Sequence, residues 1–369
     1  MPRVLMVSKP VAPPWNDSSK NLVRDVSGHL TRYRATVMTA RGAAPGIDGV
    51  QSTAVYAPRH GKFSPALADN ARVMLRLLAG DRHDLWHFFF APNPRSSAAG
   101  RVAARARRVP TVQTVCSAPA DGADLERVLF CDRTVVLSHH SERRMIEAGV
   151  PRARLRRIPP AVAPLTPLAE GEAVRVRGEL GLPRERALVV YPGDLEYSGA
   201  AERVLRAFAE LRGDGAALVM ACRKKTAAAH AHEARLREVA RVLGVSERVR
   251  WAGETRRIHD LLACADVIAL PAEDLYAKMD LPLVLIEAML LARPVILAQD
   301  TPAAELAEGD AAVAVTADVG ATSAAIARLL GDDGERAALG RRARDAALDR
   351  YHPAAVAAAY EAVYDELLR

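Results

Sequence analysis

The sequence predicts an α/β fold made of two Rossmann-like, doubly wound halves. Three observations lead there. Short buried strands alternate with amphipathic helices along the chain, the pattern of parallel sheets covered on both faces. A Pro- and Ala-rich stretch, residues 160–173 (PAVAPLTPLAEGEA), interrupts that alternation near the middle and is the best linker candidate. The 369 residues, 50% hydrophobic and 26% charged, suffice for two domains that each bury a core.

The elements follow in order. Residues 4–8 (VLMVS) read as a buried strand, followed by the loop KPVAPPWNDSSKN and a helix over about 22–30. Residues 33–39 (YRATVMT) form the second strand of a β-loop-α-β opening that lacks a G-x-G-x-x-G fingerprint. Helices near 65–79 and 97–107 alternate with strands at 84–90 and 111–115. A strand at 133–137 precedes Ile158-Pro159-Pro160, which closes the half. Beyond the linker, strands are expected at 187–191, 217–222, 249–252, 267–270 and 295–297. Helices are expected at 200–211, 226–243, 257–264 and from Asp280 onward, and the tail from about Ser323 is helical.

Bulk properties narrow the function. Cys116, Cys131, Cys222 and Cys264 lie far apart, without metal spacing, and read as reduced packed thiols of a cytosolic protein. No signal peptide opens the chain, and no apolar run reaches the ~18 residues of a membrane span. The net charge of +7 concentrates in Arg clusters at 101–108 and 152–157. These fit an anionic partner, whether nucleotide, membrane surface or acidic glycan, or else a plain compositional bias. Nucleic acid is not expected, because zinc-finger spacing, an aromatic RNA-binding signature and a recognition helix are all missing.

Residues 280–306 (DLPLVLIEAMLLARPVILAQDTPAAEL) carry the most functional information. Asp280 can cap a helix and Pro282 suits its first turn. Leu283, Ile286, Met289 and Leu290 make an apolar stripe, and Arg293-Pro294 ends the helix before a short strand. Glu287 breaks the apolar pattern, and a buried carboxylate is costly unless something hydrogen-bonds it. Asp280 lies two turns earlier on roughly the same face. Phosphate at the helix N-terminus and a ribose diol at Glu287, roughly 10 Å along the axis, would fit a nucleotide lying on this helix.

This segment resembles the donor-site motif of the retaining GT-B glycosyltransferases of family four. That motif has two Glu seven residues apart, then Ala-Met, a small turn and Pro-Val. Glu287, Ala288-Met289 and Arg293-Pro294-Val295 match its second half. The first Glu is replaced by Met279 with Asp280 next door, and the usual Phe-Gly by Leu281-Pro282. The resemblance implies a GT-B fold of two Rossmann-like domains facing across a cleft. The domains would be 1–165 (acceptor side) and 166–350 (nucleotide-sugar side), with a C-terminal helix, 351–369, crossing back to the first.

Other positions follow from the same resemblance. Ser18-Ser19 with Lys20 stand where the family has a Gly-Gly pair beside the donor diphosphate, although Asp17 or Ser18 could simply cap the next helix. In PGDLEYSGA, Gly193 and Gly199 are kept, but Asp194 and Ser198 replace the diphosphate-binding Arg and Lys. Arg223 and Lys224, with Lys225, could restore that charge, each charge-assisted bond contributing ~1.5–3 kcal/mol. Glu254 and Thr255, within WAGET, lie in the loop expected to hold the nucleobase, and Leu281 and Leu283 open the donor helix. Cys116 stands at a family His position. His87 matches another His, and with Asp280 it is a candidate for the catalytic step.

The implied activity is retaining, metal-independent transfer of a hexose-type sugar, with no cofactor, from a UDP- or GDP-type donor to a glycan, lipid or metabolite. Charge developing on the leaving group would be met by the helix N-terminus and cations. A cytoplasmic location follows, with peripheral contact at the inner membrane face as an option. Two alternatives stay open: a non-catalytic nucleotide- or glycan-binding GT-B module, and a GT-B sugar-nucleotide epimerase.

Overall fold

The computed structural model describes residues 1–58, 66–90, 93–117, 119, 123–169, 171–224, 226–273 and 279–369. The chain divides into two compact units. One comprises Met1–Ala163, Ala277–Leu281 and Tyr351–Arg369, and the other Pro164–Tyr276 and Pro282–Arg350.

The N-terminal unit runs β1 (Arg3–Ser8), α1 (Ser18–Ser27), β2 (Arg34–Ala40), β3 (Gln51–Tyr56), α2 (Leu67–Ala79), β4 (Leu85–Phe89), α3 (Pro94–Arg107), β5 (Thr111–Val115), α4 (Leu125–Val128), β6 (Arg133–Val136), α5 (His139–Glu147) and β7 (Leu155–Arg157). Its seven strands are ordered β3-β2-β1-β4-β5-β6-β7 and pair in parallel. The order reverses between β1 and β4, and the carboxyl ends of the strands at such a reversal are where open α/β sheets take ligands.

The second unit runs α6 (Glu172–Glu179), β8 (Ala187–Tyr191), α7 (Ala200–Ala209), β9 (Ala216–Met220), α8 (Ala227–Val242), β10 (Val249–Trp251), α9 (Ile258–Ala263), β11 (Val267–Leu270), α10 (Leu283–Leu290), β12 (Val295–Ala298), β13 (Val313–Val315), α11 (Val319–Gly331) and α12 (Asp333–Arg350). Its sheet is ordered β10-β9-β8-β11-β12-β13, also parallel, with the reversal between β8 and β11. Strands such as β8, β11 and β12 are almost entirely buried, which is why they read as unbroken apolar runs.

The last helix, α13 (Pro353–Leu368), belongs to the N-terminal unit and packs against α1. Glu361 on it is 2% exposed and fully used. Its Oε1 accepts from the backbone N–H groups of Thr31 and Arg32, both at 2.6 Å, and its Oε2 from Arg32 Nε at 3.0 Å.

Several elements were not anticipated from the sequence. β3 is an edge strand with four of its six residues not buried, so it lacks an apolar run. α5, β7, α6 and β13 are short or polar. Residues 158–169 hold neither helix nor strand, whereas α6 begins within the stretch expected to be linker. α1 starts at Ser18 rather than near Leu22. The expected helix start at Pro65 and the cation Lys225 lie outside the described residues.

Candidate functional site

In the second unit, α10 carries Glu287. Leu283, Leu285, Ile286, Ala288, Met289 and Leu290 are buried, so this helix is held by packing on nearly every side. Glu287 and Val284 face the less buried side, and the Glu287 side chain is 14% exposed. The carboxylate therefore reaches the surface and meets an imidazole, with its Oε1 3.5 Å from His259 Nε2 of α9. His259 was not singled out from the sequence, because only packing of α9 on α10 brings it there. The end of α10 is closed by cations: Arg344 donates to the Leu290 carbonyl and Arg293 Nε to that of Leu291, at 3.1 Å in the latter case.

The start of α10 differs from expectation. Its N-cap is Pro282, without a side-chain cap, so Asp280 does not cap the helix. Asp280 lies in the N-terminal unit and is 3% exposed. Its carboxylate accepts from Ser138 Oγ at 2.5 Å and Ser141 Oγ at 2.9 Å, and its backbone N–H donates to the Cys116 carbonyl at 3.1 Å. Burial pushes the Asp280 carboxyl up, while the two hydroxyls and nearby His140 pull it down. The N-terminus of α5, capped by Ser138, offered a dipole end that won over the cap position of its own helix. Both oxygens are engaged, so the structure makes Asp280 a tether to α5. The side chains of Leu281 and Leu283 are buried, which leaves only their backbone for a donor.

Around the β8–β11 reversal, Gly193 follows β8. A Cβ there would come within 2.3 Å of the Tyr191 ring and 2.8 Å of Leu270, so close backbone approach demands glycine. Asp194, at the expected Arg position, turns the loop: its Oδ1 accepts from the N–H groups of Glu196 (2.9 Å) and Tyr197 (2.7 Å). Arg203 on α7 brings a guanidinium to the end of β11, donating to the Pro271 carbonyl at 2.8 Å and Glu273 at 2.9 Å. The sequence reading missed this cation, since its position on α7 marks nothing.

The loops after β9 and β10 also meet. Arg223 stands 4.0 Å from Glu254, which brings two expected donor residues together. Thr255 Oγ1 accepts from the N–H of Arg257 and shapes that loop. Lys224 is held 3.0 Å from Glu233 of α8, whose carboxylate also takes Arg237.

In the N-terminal unit, Ser18, Ser19 and Lys20 form the first turn of α1 and Asp17 is its cap. Asp17 accepts from the N–H groups of Ser19 and Lys20 and pairs with Lys9 at 2.9 Å. Burial raises its carboxyl, but Lys9 and these hydrogen bonds outweigh that and bring it to about 2. The anion position at this helix start is thus filled by a side chain, and Lys20 Nζ donates to the Pro14 carbonyl at 3.1 Å. Cys116, at the end of β5, is buried, which pushes its thiol up to about 12.

His87 is fully enclosed. It lies on β4 with no exposure, its Nδ1 2.7 Å from the Tyr364 hydroxyl and its Nε2 2.7 Å from Thr114 Oγ1, which in turn meets Tyr360 at 3.1 Å. Burial holds its pKa well below the usual imidazole value. Through these bonds the imidazole ties β4 and β5 to α13.

Residues 175–346 match the family model described as Glycosyl transferases group 1. That span contains Gly193, Arg223, Glu254, His259 and Glu287. A D-inositol 3-phosphate glycosyltransferase of Nocardia farcinica (strain IFM 10152) is 32% identical over 224 residues, which is 58% of this chain and 48% of that relative. The chain thus aligns with about half the length of this curated relative. Among solved structures, Anabaena Alr3699/HepE in complex with UDP and glucose superposes with a TM-score of 0.81 at 16% identity, covering 100% of both chains. Sucrose-phosphate synthase from Thermosynechococcus elongatus does so with a TM-score of 0.78 at 17% identity, covering 100% of this chain and 99% of that one. The fold is α/β of the GT-B type, with two parallel Rossmann-like sheets.

Proposed function

We propose that this protein is a retaining, metal- and cofactor-independent glycosyltransferase of family four that uses a UDP- or GDP-type sugar donor. The observation that carries the reading is Glu287, the one acid on an otherwise apolar α10, with its carboxylate at the surface inside the span matched by the group 1 model. A ribose diol there would donate two hydrogen bonds to a charged acceptor. Gly193 would admit the donor backbone-close, and Arg223 and Arg203 are the cations proposed to meet the diphosphate. The UDP and glucose of the HepE complex support this donor class, and the Nocardia relative is named as a glycosyltransferase acting on D-inositol 3-phosphate. That name also makes a polyol phosphate the first acceptor to test.

Calorimetric titration with UDP- and GDP-sugars, with and without a chelator, tests the donor site. Losing a charge-assisted pair of bonds should weaken binding by about 100-fold or more in Glu287→Ala, with Glu287→Gln intermediate. Donor affinity unchanged in the alanine variant would refute the reading. A non-catalytic nucleotide-binding module is the second reading, favoured by Asp194 at the expected Arg position and by the Lys224–Glu233 pair. Nucleotide binding without product from any acceptor would select it.

A further inference from the structure

We infer that the exposed face of α2 docks onto an anionic lipid surface. α2 buries Asp69 and Leu77 and leaves Leu67, Leu75 and Leu78 exposed at 87%, 66% and 41%. Ala71 is exposed as well, and spacings of four, four and three residues put the four on one helix face. Scattered exposed leucines are ordinary, but an apolar stripe over three turns is a contact surface.

Guanidiniums flank that stripe on one side and at its C-terminal end. Arg41, Arg72 and Arg76 line, together with Leu75, an open cavity of about 400 Å³ between β3 and α2. Arg107 of α3 donates to the carbonyls of Leu78 (2.6 Å) and Gly80 (3.0 Å), so a cation rather than bare carbonyls closes the end of α2. Asp69 pairs with Arg72 and Asp81 with Arg76, so these four guanidiniums face two partner carboxylates. Leucines that enter the acyl boundary, flanked by arginines at phosphodiester depth, are the composition of an interfacial helix. The same cations argue against a second copy as occupant, because a two-fold contact through α2 would bring like charges close together.

Co-sedimentation of the full chain with vesicles of phosphatidylcholine, alone or mixed with phosphatidylglycerol, at low and high salt, tests the surface. The protein should bind the anionic vesicles and not the neutral ones. Leu67→Ser/Leu75→Ser/Leu78→Ser should lower partitioning roughly tenfold or more. Arg41→Glu, at another exposed position, should lower it several-fold at low salt, and both variants should melt like the parent. Three results would overturn the inference: no binding to anionic vesicles at low salt, binding indifferent to the leucine changes, or a dimer in sedimentation velocity that the leucine changes abolish without any vesicle binding.

Discussion

Replacing His87 with Leu separates a structural imidazole from a catalytic one. The substitution keeps an apolar side chain among Phe89, Tyr360 and Tyr364 but strands the Tyr364 hydroxyl, while Thr114 retains Tyr360. One buried hydroxyl without a partner costs about 1–3 kcal/mol at neutral pH. The pH dependence gives a second handle. Burial lowers the folded His87 pKa well below 6.5, so the unfolded chain binds a proton that the folded chain refuses. His87 therefore leaves stability untouched above about pH 6.5 and removes about 1.4 kcal/mol per pH unit below it, until the folded imidazole itself protonates. The Leu variant lacks that slope, so its deficit relative to the parent should shrink as pH falls below about 6.5. Urea unfolding followed by fluorescence in a Trp251→Phe background reads the N-terminal unit through Trp15 and Trp86. Unchanged stability together with lost turnover in folded protein would refute this account and return His87 to the catalytic set.

Two further outcomes follow from hydrogen-bonded carboxylates in the same unit. Glu361→Ala strands the N–H groups of Thr31 and Arg32 and should cost about 3–5 kcal/mol, with Glu361→Gln milder because one oxygen still accepts; hydrogen exchange of α13 no faster than in the parent would contradict it. Asp17→Ala should cost about 1–2 kcal/mol at neutral pH, allowing for partial exposure. Because the Asp17 carboxyl is depressed from 3.8 to about 2, that contribution is present above pH 3.8 and lost as pH falls towards 2. An acid limb identical in parent and variant would show that Asp17 does not supply it.

The sequence by itself determined the α/β alternation, the parallel sheets and the exception that Glu287 makes in an apolar helix. Each of these is a local signal: an apolar run such as ALVVY is a strand buried on both faces, and one acid in LVLIEAML must leave the core or find a partner. The edge strand β3 escaped because exposure erases the apolar pattern that marks a strand. Side-chain partnerships were decided only by the tertiary structure. His87 and Asp280 carried sequence contexts compatible with catalysis, but Tyr364 lies 277 residues beyond the first and Ser138 142 residues before the second. The same holds for His259 beside Glu287 and Lys224 against Glu233. Hydrogen bonds and ion pairs act over a few ångströms of space whatever the chain separation, so periodicity can say which residues are buried but not which polar groups meet.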